Sequence, residues 1–285
     1  MFWSTTRHHI DLSRPRVMGI VNLTPDSFSD GGQLASPIEA IKRCERLLIE
    51  GADLLDIGGE STRPGAMPVT ADEEWLRVRP VLLAALSLGC PVSLDSMKTE
   101  VMQRALDLGV DILNDVNALR ADGAAIIAGA SSAGICLMHM MGEPRSMQQQ
   151  TPDYADVVAQ VRDFLGERIA AMSAHGVAAG RIVVDPGFGF GKTVAQNFAL
   201  LANLNQLQPL GCPILAGWSR KSSLGAVTGI ELAGERVVPS VAAALLAVER
   251  GARIVRVHDV RETVAALAVH RAMTDAEQRQ EHQTT

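Results

Sequence analysis

Paired or clustered cysteines are missing from this chain. The four present, Cys44, Cys90, Cys136 and Cys212, stand far apart, and no CxxC or Cys/His ligand spacing occurs. Neither a disulfide framework nor a thiolate metal site is supported, and buried, reduced thiols of a cytoplasmic protein are expected. A basic excess is missing too: 26 Lys and Arg face 32 Asp and Glu, for a net charge of −6, and the cations are dispersed. That argues against a nucleic-acid surface. The N-terminus carries His8, His9, Asp11 and Arg14 and no apolar leader. The uncharged stretch Ala124–Gly142 is long enough to suggest a membrane span, but glycines, serines and His139 interrupt it. A helix end, a turn and a buried strand explain it better. There is no nucleophile elbow, no Ser-His-Asp order and no His/carboxylate metal cluster. Asp185–Thr193 looks like a phosphate loop, yet Pro186 stands where a Walker A motif needs glycine, and Lys192 where a dinucleotide motif needs one. It reads instead as a close-approach loop, with Phe188 and Phe190 available to line a pocket.

What is present is a repeated short apolar run. The runs are Val17–Val21, Leu54–Ile57, Pro91–Leu94, Val110–Leu113, Ile135–Met138, Arg181–Val184, Pro213–Ala216 and Arg253–Val257. Such runs read as strands buried on both faces. Amphipathic segments lie between them: Ile38–Glu50, Ala71–Leu88, Thr99–Leu108, Tyr154–Ala174, Val194–Leu207, Pro239–Glu249 and Arg261–Met273. Most stop at or near a glycine, the usual left-handed helix terminator. Eight βα units, each about 34 residues long, describe a (β/α)8 TIM barrel. With 47% hydrophobic and 20% charged residues, one domain is expected. Its core would span residues 10–272, and a polar tail over 274–285 would fray. Thr24–Ser36 and Gly58–Thr70 are long loops that suit lids or substrate walls. Ser219–Gly234 reads as a third irregular stretch.

In this fold the strand ends build the active site. They carry Asn22, then Glu60-Ser61-Thr62-Arg63, Asp95, Asn114-Asp115, His139, Asp185 and Ser219-Arg220-Lys221. Two carboxylates and an amide, Asp95, Asp185 and Asn114, suit the donor edge of a flat heterocycle. Arg256 and His258 alternate on the last strand and share a face, and Lys221 and Arg63 add positive charge. Together they suit a phosphate or diphosphate, the competing role being ion pairing with Asp259 or Glu262. A metal, if used, fits Mg²⁺ held by substrate phosphate and water with one protein oxygen, such as Asn22.

On these residues the chain resembles the bacterial dihydropteroate synthases. The matching blocks are residues 18–32, Asp56–Gly65, Asn114-Asp115, Leu137–Met140, Asp185–Lys192, Ser219–Ser222 and Arg256–Asp259, in order and with family spacing. The resemblance implies condensation of 7,8-dihydropterin-6-ylmethyl diphosphate with 4-aminobenzoate, diphosphate leaving first and the arylamine attacking a pterin-methyl cation. It implies that Asp95, Asn114, Asp185 and Lys221 hold the pterin. Asn22 would bind Mg²⁺, and Thr62, Arg256 and His258 would grip the diphosphate. Arg63, Pro64, Phe190, Lys221 and Ser222 would shape the aminobenzoate site, with Ser61 and Met138 as further contacts. Asp95, Lys221, Arg256 and His258 carry the chemistry in this reading, and a homodimer is implied. A pterin-dependent methyltransferase and a non-catalytic pterin-binding protein are the rivals, although a methyl donor has no diphosphate to grip. Trp218, Ser223, Asn117 and Ser96-Met97 depart from the usual family residues; none removes a proposed ligand, and Trp218 and Ser223 bear on the shape of the aminobenzoate site and on sulfonamide sensitivity.

Overall fold

A computed structural model describes residues 1–23, 36–62, 65–142 and 154–283. Eight parallel strands close into a barrel: β3 (Arg16–Asn22), β4 (Leu54–Gly58), β5 (Val92–Asp95), β6 (Ile112–Asp115), β7 (Gly134–Met138), β8 (Ile182–Asp185), β9 (Ile214–Ala216) and β10 (Ala252–Val257). β10 pairs with β3 through Val255 and Val17, which shuts the ring. The helices between them are α1 (Pro37–Ile49), α2 (Ala71–Leu86), α3 (Thr99–Leu108), α4 (Ala124–Ala130), α5 (Val157–Ala174), α6 (Val194–Ala202), α7 (Ser222–Thr228), α8 (Val237–Glu249) and α9 (Val260–Gln283). The fold is the TIM barrel.

Strand parity divides the apolar residues into two cores. Val17, Leu55, Val92, Leu113, Ile135, Val184 and Val255 face outward and pack under the helices. Met18, Leu54, Ile112, Cys136, Val183, Leu215 and Ile254 face inward and fill the barrel. Apart from Arg253 on β10 and the strand ends, both faces of the strands are therefore buried, which is why the runs lack alternation. All four cysteines are buried and free. Burial pushes the Cys44 and Cys90 thiols up to about 12 and about 11.

The structure departs from the sequence reading in four places. An antiparallel hairpin, β1 (Phe2–Ser4) and β2 (His9–Asp11), plugs the barrel floor. Trp3, Ile10 and Leu12 join the inner core from it, and Trp3 Nε1 donates to the Arg181 carbonyl at 2.9 Å. Arg7 fixes the plug through Asp111 at 2.6 Å, whose carboxylate also accepts the Val92 N–H. On α1 the sequence pattern puts Ile38, Ile41, Cys44 and Leu48 on one side, whereas the buried stripe is Ala40, Cys44 and Leu47 and Ile38 lies outside. Residues 222–228, expected to be irregular, form α7. The polar tail does not fray at Thr274: α9 continues to Gln283. No glycine or proline interrupts that segment, and Arg271 and Asp275 pair one turn apart at 3.7 Å. No helix among the described residues is long and apolar enough to cross a membrane.

Candidate active site

The inward parity that fills the barrel with Met18, Leu54 and Ile254 continues toward the strand ends as Asn22, Asp56, Asp95, Asn114, Asp185 and Arg256. Polar groups therefore replace aliphatic ones at one end. Arg256 sits at the centre. Its Nε donates to Asp56 Oδ2 and its Nη2 to Asp95 Oδ2, both at 2.5 Å. Asp259, the competing partner weighed for Arg256, is taken by Arg220 at 2.5 Å. The guanidinium is thus a half-buried counter-ion for two strand-end acids.

Asp56 had not been singled out as a site residue. Its side chain is fully buried, and Oδ2 also accepts from Asn114 Nδ2 at 3.1 Å. That bond fixes the Asn114 amide with its oxygen directed away from Asp56. Asp185 ends β8, two strands on from Asn114; its Oδ1 accepts the Gly187 N–H at 2.7 Å. Burial raises the carboxyl pKa of both Asp95 and Asp185. For Asp95, Arg256 pulls the other way; for Asp185, the Gly187 N–H does so first, then Lys221 and Arg256.

The loop after β8 supplies one wall. Gly187, Gly189 and Gly191 all have positive φ, and a Cβ at Gly187 would lie 1.9 Å from the His139 carbonyl oxygen. Only glycine permits that approach. Between them, Phe190 joins Val116, Met138 and Met140 in a small apolar cluster, with Met97 packed against it. Lys221, at the start of α7, holds its ammonium 4.1 Å from the Phe190 ring centre, a cation–π contact. Ser222 is exposed in the first turn of α7. Phe188 points the other way, into the helix layer against Trp218. Trp218 is itself buried there, and Ser223 accepts from Asn197 Nδ2 at 3.2 Å. Neither departure from the family pattern reaches the apolar cluster around Phe190.

His139, a strand-end histidine that could cap the core or touch a ligand, packs into the core. It is buried edge-on to Phe164, and its Nδ1 lies 3.0 Å from Lys192 Nζ. Lys192 also donates to the carbonyls of Gly187 and Phe190, at 2.9 and 3.1 Å, and so braces the glycine loop from within. Burial lowers the Lys192 pKa to about 7 and the His139 pKa to about 3.

The loop after β4 is tied at both ends. Glu60 Oε1 accepts the Val69 N–H at 3.2 Å, while Glu60 Oε2 takes Lys98 Nζ at 2.5 Å. Lys98 reaches Glu74 of α2 as well, at 2.7 Å. Ser61 and Thr62 follow Glu60 and are half-buried. Arg63 and Pro64 lie outside the described residues, as do residues 24–35 of the first loop. His258, just past β10, meets Ser219 Oγ through Nδ1 at 2.9 Å.

The family of pterin-binding enzymes matches residues 18–258. A dihydropteroate synthase of Neisseria meningitidis serogroup B is 52% identical over 277 residues, covering 95% of this chain and 97% of that protein. The structure of Burkholderia cenocepacia dihydropteroate synthase complexed with 7,8-dihydropteroate superposes with a TM-score of 0.90 at 51% identity, covering 98% of each chain. Xanthomonas albilineans dihydropteroate synthase with 4-aminobenzoic acid gives 0.88 at 51% identity, covering 93% of this chain and 95% of that one.

Proposed function

The chain belongs to the pterin-binding enzyme family, and from that membership we propose that it condenses 7,8-dihydropterin-6-ylmethyl diphosphate with 4-aminobenzoate, giving 7,8-dihydropteroate and pyrophosphate. The observation that carries this reading is the convergence of Asp95, Asn114 and Asp185 around Arg256 at one barrel end. Near full-length identity to dihydropteroate synthases supports it.

The pterin's N–H-rich edge meets the carboxylates and the Asn114 oxygen. When the C–O bond to the diphosphate breaks, the electron pair leaves with the diphosphate and the pterin methylene becomes cationic. Asp95 and Asp185 lower the energy of that cation, a preorganised electrostatic effect. The arylamine nitrogen then forms the new C–N bond and loses its proton. Lys221 over Phe190, with Ser222 beside it, forms the aminobenzoate wall, and Met138 lies beneath; Ser61, with Arg63 and Pro64, which lie outside the described residues, completes the contacts proposed for 4-aminobenzoate, while Thr62 is assigned to the diphosphate. Arg256, whose Nε and Nη2 are held by carboxylates, offers Nη1 to the diphosphate, and His258 offers its ring.

Asn22 ends β3 on the inner parity and is half-buried. The described residues hold no cluster of three or more His, Cys, Asp or Glu suited to a metal. One amide oxygen of this kind fits Mg²⁺ that keeps its water and substrate phosphate ligands. Bound there, the ion would neutralise charge on the diphosphate. The assembly we propose is a homodimer. Val227, Leu232, Val238, Leu246 and Val269 are exposed on and around the neighbouring helices α7, α8 and α9 and offer an apolar face to a second copy.

A pyrophosphate-release assay tests the reaction. Release that requires both the pterin diphosphate and 4-aminobenzoate is expected. No release, or release indifferent to 4-aminobenzoate, overturns it.

A further inference from the structure

Ser219 closes the turn after β9 and faces His258 after β10. Its Oγ accepts the His258 backbone N–H at 3.0 Å and lies 2.9 Å from His258 Nδ1. Ser219 is buried. A hydroxyl has one hydrogen to give and two lone pairs to receive. Among the described residues, Nδ1 is the one acceptor within reach of that hydrogen. Were Nδ1 protonated, Oγ would receive two donors and its own hydrogen would be buried without a partner, a costly arrangement. The Ser219 hydroxyl and the His258 main-chain N–H are both satisfied only when the main-chain N–H donates to Oγ and Oγ–H donates to Nδ1. Nδ1 is then bare, and the ring's single proton sits on Nε2.

The surroundings keep this geometry fixed. Arg220 adopts φ 59°, a left-handed conformation rare for a side chain of its size. Its guanidinium is held by Asp259 at 2.5 and 3.1 Å, and its N–H donates to Ser240 Oγ at 2.9 Å. Arg236 Nη1 donates to the Arg220 carbonyl at 3.1 Å. Arg43 of α1 donates to the His258 carbonyl at 2.9 Å. The residues bearing both partners are thus clamped, and a strained backbone is retained where Ser219 must point at the ring.

We propose that Ser219 is a positioning residue that locks His258 as the neutral Nε2–H tautomer. The ring then meets the diphosphate as an uncharged donor. Charge-assisted hydrogen bonds are the stronger ones, so a neutral donor holds pyrophosphate less tightly after the reaction and lets it leave. The ring's role rests on the diphosphate reading of the mouth; its tautomer does not.

The test is ¹⁵N NMR of the full chain with labelled histidine at about pH 8, above the ordinary histidine range, His258 being assigned by its loss in His258→Gln. A protonated Nε2 and a bare, hydrogen-bonded Nδ1 are expected in the parent. Ser219→Ala should show a mixture of tautomers, and Ser219→Thr should keep the single one. An Nδ1–H or doubly protonated ring in the parent, or an unchanged ring in Ser219→Ala, overturns the lock. Pyrophosphate titration then reads the role. Gln carries its amide nitrogen near the Nε2 position and Asn near Nδ1. His258→Gln should therefore stay within about 3-fold of the parent, and His258→Asn should lose about 10-fold or more. Equal losses in both variants overturn Nε2 donation. A locked tautomer with no pyrophosphate response in either variant overturns the ring's role and, separately from the lock, the diphosphate reading.

Discussion

Replacing Lys98 with methionine isolates the tie that holds the second loop. Lys98 Nζ bridges Glu60 and Glu74, whose side chains are 8% and 0% exposed, while its own is 21% exposed. Burial works against the ammonium, and the two carboxylates more than restore it, so its pKa lies above the ordinary lysine value. Removing one partner of a buried pair costs about 3–5 kcal/mol, because the remaining charge stays desolvated. Partial exposure of Lys98 brings the expectation to about 2–4 kcal/mol. In a chain of this size that lowers Tm by roughly 4–8 °C. Glu74 Oε1 has no protein partner among the described residues, so it gains nothing elsewhere. The second variant, Lys98→Met with Glu74→Gln, removes one stranded charge and should recover about half of the loss. The functional consequence runs through Glu60, which closes the loop on Val69. The KM for 4-aminobenzoate should rise by about 5–10-fold while that for the pterin diphosphate moves less. Thermal unfolding and steady-state kinetics measure both. An unchanged Tm in Lys98→Met, or equal rises in the two KM values, refutes the reasoning.

Asp185→Asn sets an amide donor against a donor-rich ligand and should weaken pterin binding by roughly 1.5–3 kcal/mol; unchanged affinity by calorimetry removes Asp185 from the site. His139 has a folded pKa near 3, below its ordinary 6.5, so the unfolded chain takes up the proton first as pH falls. Its contribution to stability is complete above pH 6.5 and is lost between about 6.5 and 3, on the order of a few kcal/mol. His139→Gln should flatten denaturant stability across that window, and a parallel decline in both proteins contradicts it. 4-Aminobenzoate should bind weakly alone and tightly with pyrophosphate and Mg²⁺, because a bound diphosphate offers charge to Thr62 and Arg63 and so offsets the cost of assembling the second site; equal affinity in the two titrations means a preformed second site and rules out that order.

The barrel was legible because each strand must be dry on both faces, which leaves a continuous apolar run in the sequence. The hairpin was not, because Phe2–Ser4 and His9–Asp11 are three residues each and carry no period. Helix α7 was hidden by its serines and Gly225. Among site residues, Asp95, Asn114 and Asp185 were visible as polar ends of apolar runs, and all three reach one end of the barrel. Asp56 had a signal that went unused: an acid inside a buried strand needs a partner. That partner, Arg256, stands 200 residues away, and no local pattern joins them. Ser219, Lys98 and Lys192 act through other side chains and loops, so their geometry existed only after folding.

The position of Arg256 explains how three acids can crowd one barrel end. Asp56, Asp95 and Asp185 together would repel one another and favour protonation. Arg256 answers two of them directly and lies near enough to Asp185 to lower its pKa. The acids are not equivalent, however. Asp56 has no exposed side-chain surface and spends Oδ2 on Arg256 and Asn114, whereas the Asp95 side chain is 15% exposed and Asp185 is 6% exposed overall. In the proposed reaction Asp56 is therefore assigned to the support, and Asp95 and Asp185 to the ligand. By engaging the Asn114 amino group, Asp56 also decides which end of that amide remains available, and it is the acceptor end. The mouth then presents acceptors from β5, β6 and β8 around one fixed cation. A ligand with several adjacent N–H donors, and a positive charge that develops only during reaction, is the chemistry such a set of acceptors selects.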